Sequence, residues 1–104
     1  MNVRVRFEDE ADAEYRAAGR WYDARRVGLG LEFFDAVDAA IGQVLELPRA
    51  GELVRSMPAE LAVRRLAVKR FPYHVFYLEA PEALRILAVA HDRREPDYWT
   101  MRLV

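Results

Sequence analysis

The chain contains no cysteine, two histidines and a single serine. Without thiols there are no disulfides, no thiolate nucleophiles and no cysteine-ligated metals. Two histidines alone are a poor basis for a dedicated zinc site. The lone serine, Ser56, sits in a stretch unlike the strained turn that a serine nucleophile needs. No phosphate-binding loop is present. Gly28-Leu29-Gly30 follows a helical pattern, whereas the dinucleotide fingerprint requires a preceding strand. No apolar run approaches the roughly 18 residues of a membrane-spanning helix, and Met1-Asn2-Val3-Arg4-Val5-Arg6 lacks an apolar signal core. These absences set the expectation of a cytoplasmic protein with no metal, no cofactor and no membrane partner.

What the chain does have is apolar material. Of its 104 residues, 53% are hydrophobic and 32% charged, which suits one folded domain spanning 1–104 and argues against disorder. A domain of this size buries roughly 60–70% of its unfolded surface, so a partner has room to add stability. The formal net charge of −1 argues against direct sequence-specific nucleic-acid binding. Charge is unevenly spread: residues 1–48 hold six arginines against ten acids, residues 49–104 ten cations against seven acids. The split fits an ordinary charge-rich surface as well as a partner-facing one.

Val3, Val5 and Phe7 alternate with Arg4 and Arg6, which predicts a short strand with one wet face, suited to a sheet edge. Glu8-Asp9-Glu10 then places acids where a helix begins. Ala11, Tyr15, Ala18 and Tyr22 form an apolar stripe, with Trp21 widening it, on a helix ending near Arg25-Arg26. Gly28-Leu29-Gly30 breaks that helix. A second helix from about Leu31 carries Phe33, Phe34, Val37, Ala40, Ile41, Val44, Leu45 and Leu47 on one face and stops at Pro48. The pair reads as an antiparallel hairpin. Residues 49–60 read as a connecting loop. Three strands follow, over 61–68, 73–78 and 84–91, with Phe71-Pro72 and Pro81-Glu82 as turns. The last is apolar on both faces in its middle, which predicts a central position. After Pro96, residues 97–103 form either a helical turn or a terminal strand. The fold class is therefore α+β: an N-terminal strand, a two-helix antiparallel hairpin, a three-stranded antiparallel meander and a short C-terminal element.

Few residues offer chemistry. His74 lies in mid-strand, where a histidine with one satisfied nitrogen is an ordinary sheet residue. Arg64, Arg65, Lys69 and Arg70 flank a strand and its turn, but alternation sends Arg64 and Arg65 to opposite faces. His91-Asp92-Arg93-Arg94 groups polar residues at a strand end, a common location for sites. Tyr98 and Trp99 beside Pro96 suit a cap on the core.

Tyr15, Ala18, Trp21-Tyr22, Gly28-Leu29-Gly30 and Phe33 resemble the helical hairpin of the RelE/ParE toxin superfamily. Phe71-Pro72-Tyr73-His74-Val75-Phe76-Tyr77 and Ile86-Leu87-Ala88-Val89-Ala90-His91 resemble its central strands. Arg93-Arg94-Glu95-Pro96-Asp97-Tyr98-Trp99 resembles the C-terminal signature of the ParE-like, plasmid-stabilisation branch. The resemblance implies the toxin of a type II toxin–antitoxin pair, neutralised by an antitoxin whose extended or helical tail wraps it. It implies DNA gyrase as target if the chain acts like the ParE branch, and ribosome-bound mRNA if it cuts like the RelE branch.

RelE-type nucleases resemble one another in placing an Arg on the middle strand, then a His-Arg pair and a Tyr after the last strand. Here His74 stands at the middle-strand position, Asp92 follows His91, and Tyr98 lies beyond Pro96. An Asp at that place repels a phosphate. The expectation that follows is a ParE-like toxin that inhibits gyrase by binding, with Arg93, Arg94, Tyr98 and Trp99 as contact residues. The alternative is a ribosome-dependent mRNA endoribonuclease with His74 or His91 as acid or base and Arg93 on the phosphate. A third reading is a degenerate member that binds antitoxin without toxicity.

Overall fold

Asp9, Glu10 and Asp12 open the first helix and Arg25 closes it, an order that complements the helix dipole at both ends. In the computed structural model, which describes residues 4–103, this helix (α1) spans Asp9–Arg25 and the second (α2) Leu29–Glu46. Gly28 joins them with φ of 91°, a left-handed conformation that costs a residue without Cβ little. Asp23 steadies the turn by accepting the N–H groups of Gly28 (3.0 Å) and Gly30 (3.2 Å). A Cβ on Gly30 would lie 2.4 Å from the Gly19 carbonyl oxygen, so the two helices cross in close contact there.

The strands are β1 (Arg4–Phe7), β2 (Glu52–Leu53), β3 (Arg64–Ala67), β4 (Tyr73–Glu79) and β5 (Ala83–His91). They form one sheet in the order β1-β5-β4-β3-β2. The expected meander is present as β3-β4-β5, but it is the middle of a five-stranded sheet. β1 does lie at an edge, and it pairs parallel with β5. The helical hairpin carries the chain from the β1 edge to the opposite edge at β2, and the antiparallel strands β2 to β5 bring it back beside β1. Val3, assigned above to this strand, lies outside the described residues.

The stretch read as a loop contains β2, which pairs Glu52 with Arg65 and Leu53 with Arg64. The strand expected from Leu61 begins only at Arg64. Residues Ala59–Leu61 form a 3-10 turn instead, and Ala62 turns the chain with φ of 51°. The C-terminal element is a second 3-10 turn, Thr100–Leu103.

The sheet separates two apolar clusters. Phe33, Val37, Ile41 and Val44 of α2 meet Val75, Tyr77, Leu84, Ile86 and Val89 on the helix face. Val63, Leu78, Leu87, Ala88, Ala90 and Trp99 pack on the other. Register explains how β5 serves both. Phe76 pairs with Ala88 but Tyr77 with Ile86, so Leu87 is an extra residue, and the alternation of side chains changes phase there.

Several positions expected on apolar faces are exposed, among them Val5, Trp21, Leu45 and Leu47. Trp21 is 52% accessible and carries the Arg25 guanidinium 3.9 Å above its ring. Leu47, past the last turn of α2, is also exposed.

Candidate functional site

The site is organised by an incomplete edge. β1 covers β5 as far as Ile86, whose carbonyl also accepts the Glu8 N–H at 2.9 Å. Beyond that point no strand of the described residues flanks β5 on this side. A buried strand edge still needs partners for its polar groups, and side chains supply them. Val89 N–H donates to Glu14 Oε1 of α1 at 3.0 Å, and the Leu87 carbonyl accepts from Arg102 at 2.9 Å. Glu14 and Arg102 meet as a fork on a fork, at 2.9 and 3.0 Å, the strong geometry for this pair. Tyr98 donates its hydroxyl to the same carboxylate. Burial first, and then the Glu14 carboxylate, push the Tyr98 phenol well above its usual range.

Glu14 thus clamps the segment after β5. Trp99 is 1% exposed, packs 5.0 Å from Phe76 between ring centroids, and anchors that segment from the other face of the sheet. Trp99 therefore presents no surface to a partner in this conformation; it holds its neighbours in place. Arg94 stacks 3.8 Å above the Tyr98 ring. The Arg93 and Arg94 side chains are exposed at the turn leaving β5.

His74 and Asp92 are brought together: His74 Nδ1 lies 2.7 Å from Asp92 Oδ1, and the Asp92 N–H donates to the Pro72 carbonyl at 2.8 Å. His91 Nδ1 accepts the Arg93 N–H at 3.0 Å, which leaves the proton of the neutral ring on Nε2. Both histidines line a cleft of about 370 Å³ with Arg65, Asp92, Arg94, Glu95, Asp97 and Tyr98. Arg65 is already bonded to Glu52 at 2.8 Å, so carboxylates outnumber free cations in this cleft. Asp97 accepts the Ser56 hydroxyl at 2.9 Å. Of the other cations singled out in the sequence, Arg64 donates to the Gly51 carbonyl at 2.8 Å and Arg70 pairs with Glu32 at 2.9 Å, both away from the cleft. Among the described residues, no group of three or more His, Asp or Glu is placed to hold a metal ion. No helix among them is long and apolar enough to cross a membrane.

A second groove of about 570 Å³ runs on the other side of this segment, between α1 and the outer half of β5. Ala17, Ala18 and Trp21 of α1 form one wall, and Pro72, Tyr73, Val89 and His91 the other.

Sequence reasoning found the corner and the two histidines. It missed Glu14 and Arg102, the residues that set the corner's shape. The available signal was helical spacing: Glu14, Ala17, Ala18 and Trp21 fall at 0, 3, 4 and 7, a second face beside the apolar stripe.

The described residues thus form a five-stranded sheet backed on one face by a helical hairpin, with a clamped turn after the last strand. The family model described as "ParE toxin of type II toxin-antitoxin system, parDE" matches residues 5–96, and the chain belongs to that family. A sequence search of curated proteins finds no match. Among solved structures, the chain is similar to one described as "Chromosomal ParDE TA system from P. aeruginosa". The TM-score is 0.71 at 14% identity, over 86% of this chain and 95% of the other. At that identity the likeness speaks for the fold alone.

Proposed function

We propose that this protein is a cytoplasmic toxin of a type II toxin–antitoxin pair that inhibits DNA gyrase by binding it, and that a cognate antitoxin neutralises it. Membership of the ParE family supports the target class. The observation that carries the reading is the corner itself: exposed Arg93 and Arg94, with Arg94 stacked on a Tyr98 that Glu14 fixes. Arginine and aromatic residues held rigid before binding are the groups that dominate interfaces. No covalent step is required. Trp99 contributes by fixing the segment from beneath.

The test is gyrase supercoiling with purified protein. Inhibition is expected at stoichiometric excess, and the double variant Arg93→Ala/Arg94→Ala is expected to lose it while keeping the wild-type fold. Full inhibition by that variant, or none by the wild type, refutes the reading.

One observation favours a second reading. Asp92 orients His74, and His91 shares the cleft with Arg94, so two imidazoles and a guanidinium border one space, as metal-free phosphodiester cleavage requires. Arg93 would then meet the phosphate. The excess of carboxylates there opposes a polyanion, which ranks this endoribonuclease reading second. Mapping mRNA 3′ ends in a translation reaction decides it: new ends establish cleavage, and their absence rejects it.

A further inference from the structure

The turn that presents Arg93 and Arg94 leaves β5 between the chain's two histidines. Register sets this arrangement. His91 pairs with Tyr73 and Ala90 with His74, so the two rings stand on opposite faces of the sheet. Each spends its Nδ1 on the turn. An ionised carboxylate only accepts hydrogen bonds, so His74 carries a proton on Nδ1 and donates it to Asp92 Oδ1 at 2.7 Å. The Asp92 N–H reaches the Pro72 carbonyl at 2.8 Å. His91 Nδ1 has the opposite duty and accepts the Arg93 N–H at 3.0 Å. The His91 carbonyl accepts the Arg94 N–H, also at 3.0 Å. Tyr73 meets the His91 ring edge-on, with centroids 5.1 Å apart, and holds it in this orientation. Three successive residues, Asp92, Arg93 and Arg94, are thereby pinned at their N–H groups.

We propose that both histidines are positioning residues. His74 and His91 fix the turn through Nδ1, a donor in one ring and an acceptor in the other, and so set the direction of Arg93 and Arg94. Neither acts as an acid or a base, and Nε2 has no part. Resting on the gyrase-binding reading above, this gives a role to two residues which that reading leaves without one. The endoribonuclease reading needs the opposite, an imidazole that moves a proton.

Asparagine and glutamine separate the two roles. An asparagine amide puts its N–H and C=O one bond from Cγ, where Nδ1 stands, and offers a donor or an acceptor by rotation. Glutamine puts them nearer the place of Nε2. Neither amide exchanges a proton as an imidazole does. The experiment compares His74→Asn with His74→Gln, and His91→Asn with His91→Gln, as purified full chains in the supercoiling assay. Each asparagine variant is expected to inhibit about fivefold or more better than its glutamine counterpart, the net worth of one hydrogen bond. Circular dichroism checks that all four keep the wild-type fold. A second readout needs no target: amide exchange measured by NMR, at Arg93 for the His91 pair and at Asp92 for the His74 pair. It is expected to be about fivefold faster in the glutamine variant of each pair. Equal potency within each pair, retained or lost, overturns the proposal. Loss in all four, with new mRNA 3′ ends made by the wild type alone, assigns the imidazoles to proton transfer instead. A wild-type chain that leaves gyrase untouched refutes the target reading alone. The exchange rates then decide the positioning role, and equal rates within each pair overturn it.

Discussion

Glu14→Gln is the sharpest test of how the corner is built. The substitution keeps shape and removes charge. The carboxylate it replaces serves the Val89 N–H, the Tyr98 hydroxyl and both forks of Arg102. The glutamate and arginine side chains are 17% and 13% exposed, so solvent screens the pair only weakly. Breaking one partner of a buried pair strands the other charge and costs about 3–5 kcal/mol; with this residual exposure the lower end, about 3 kcal/mol, is expected. For a domain of this size that lowers Tm by about 12 °C or more.

Urea unfolding monitored by circular dichroism measures the loss. Hydrogen exchange at Val89 localises it, because that amide loses its charged acceptor. Adding Arg102→Met removes the stranded charge, so the double variant is expected to be more stable than the sum of the single effects by about 2 kcal/mol. A loss below about 1 kcal/mol, or strict additivity, would show that the fork is a surface decoration, by the ordinary worth of exposed pairs.

Other outcomes follow from the same geometry. Trp99→Ala is expected to cost about 3–5 kcal/mol and to free the segment after β5; a change near zero by urea titration would mean the cluster on that face is not a true core. Gly30→Ala drives a Cβ into the Gly19 carbonyl, and a loss of about 1–3 kcal/mol is expected; unchanged stability would mean the helices separate freely. Stability should also depend on alkaline pH. The phenols of Tyr15 and Tyr98 are raised from 10.0 by burial and by hydrogen bonds to Asp38 and Glu14. Below pH 10 both are protonated in either state and the stabilisation is whole. Above it the unfolded chain ionises first, so stability falls as pH rises toward the folded values. Urea midpoints at pH 8 and 11 measure the fall, and Tyr98→Phe should make it shallower; equal midpoints in the wild type would contradict the assignment.

Much of the fold was legible because periodicity is a strong signal when one face is buried. Ala11, Ala18, Phe33 and Val37 stand where their spacing put them. The doubly apolar β5 was also readable as central, though not its bulge at Leu87, since a run apolar on both sides shows no phase to interrupt. β2 escaped because two residues make no pattern; Glu52 and Leu53 are a strand only through their partners on β3. Trp21 was assigned inward because hydrophobicity alone does not distinguish a core aromatic from one capped by a stacked arginine. The corner was visible as a cluster of side-chain types. The pairing of Asp92 with His74 spans 18 residues, and the clamp of Glu14 on Arg102 spans 88, so both are invisible to local spacing.

The parallel pairing of β1 with β5 has a consequence in time. Glu8 and Arg85, bonded in the finished fold, are 77 residues apart in the chain. At a synthesis rate of about 5–20 residues per second, the first strand waits several seconds for its neighbour. Until then the hairpin has only a partial sheet to rest on, and long-range closure of this kind is slow. The corner, its clamp and the groove beside it all depend on residues after β5. The corner and its clamp therefore take shape only after the residues that follow β5 have emerged, last among the parts of the fold.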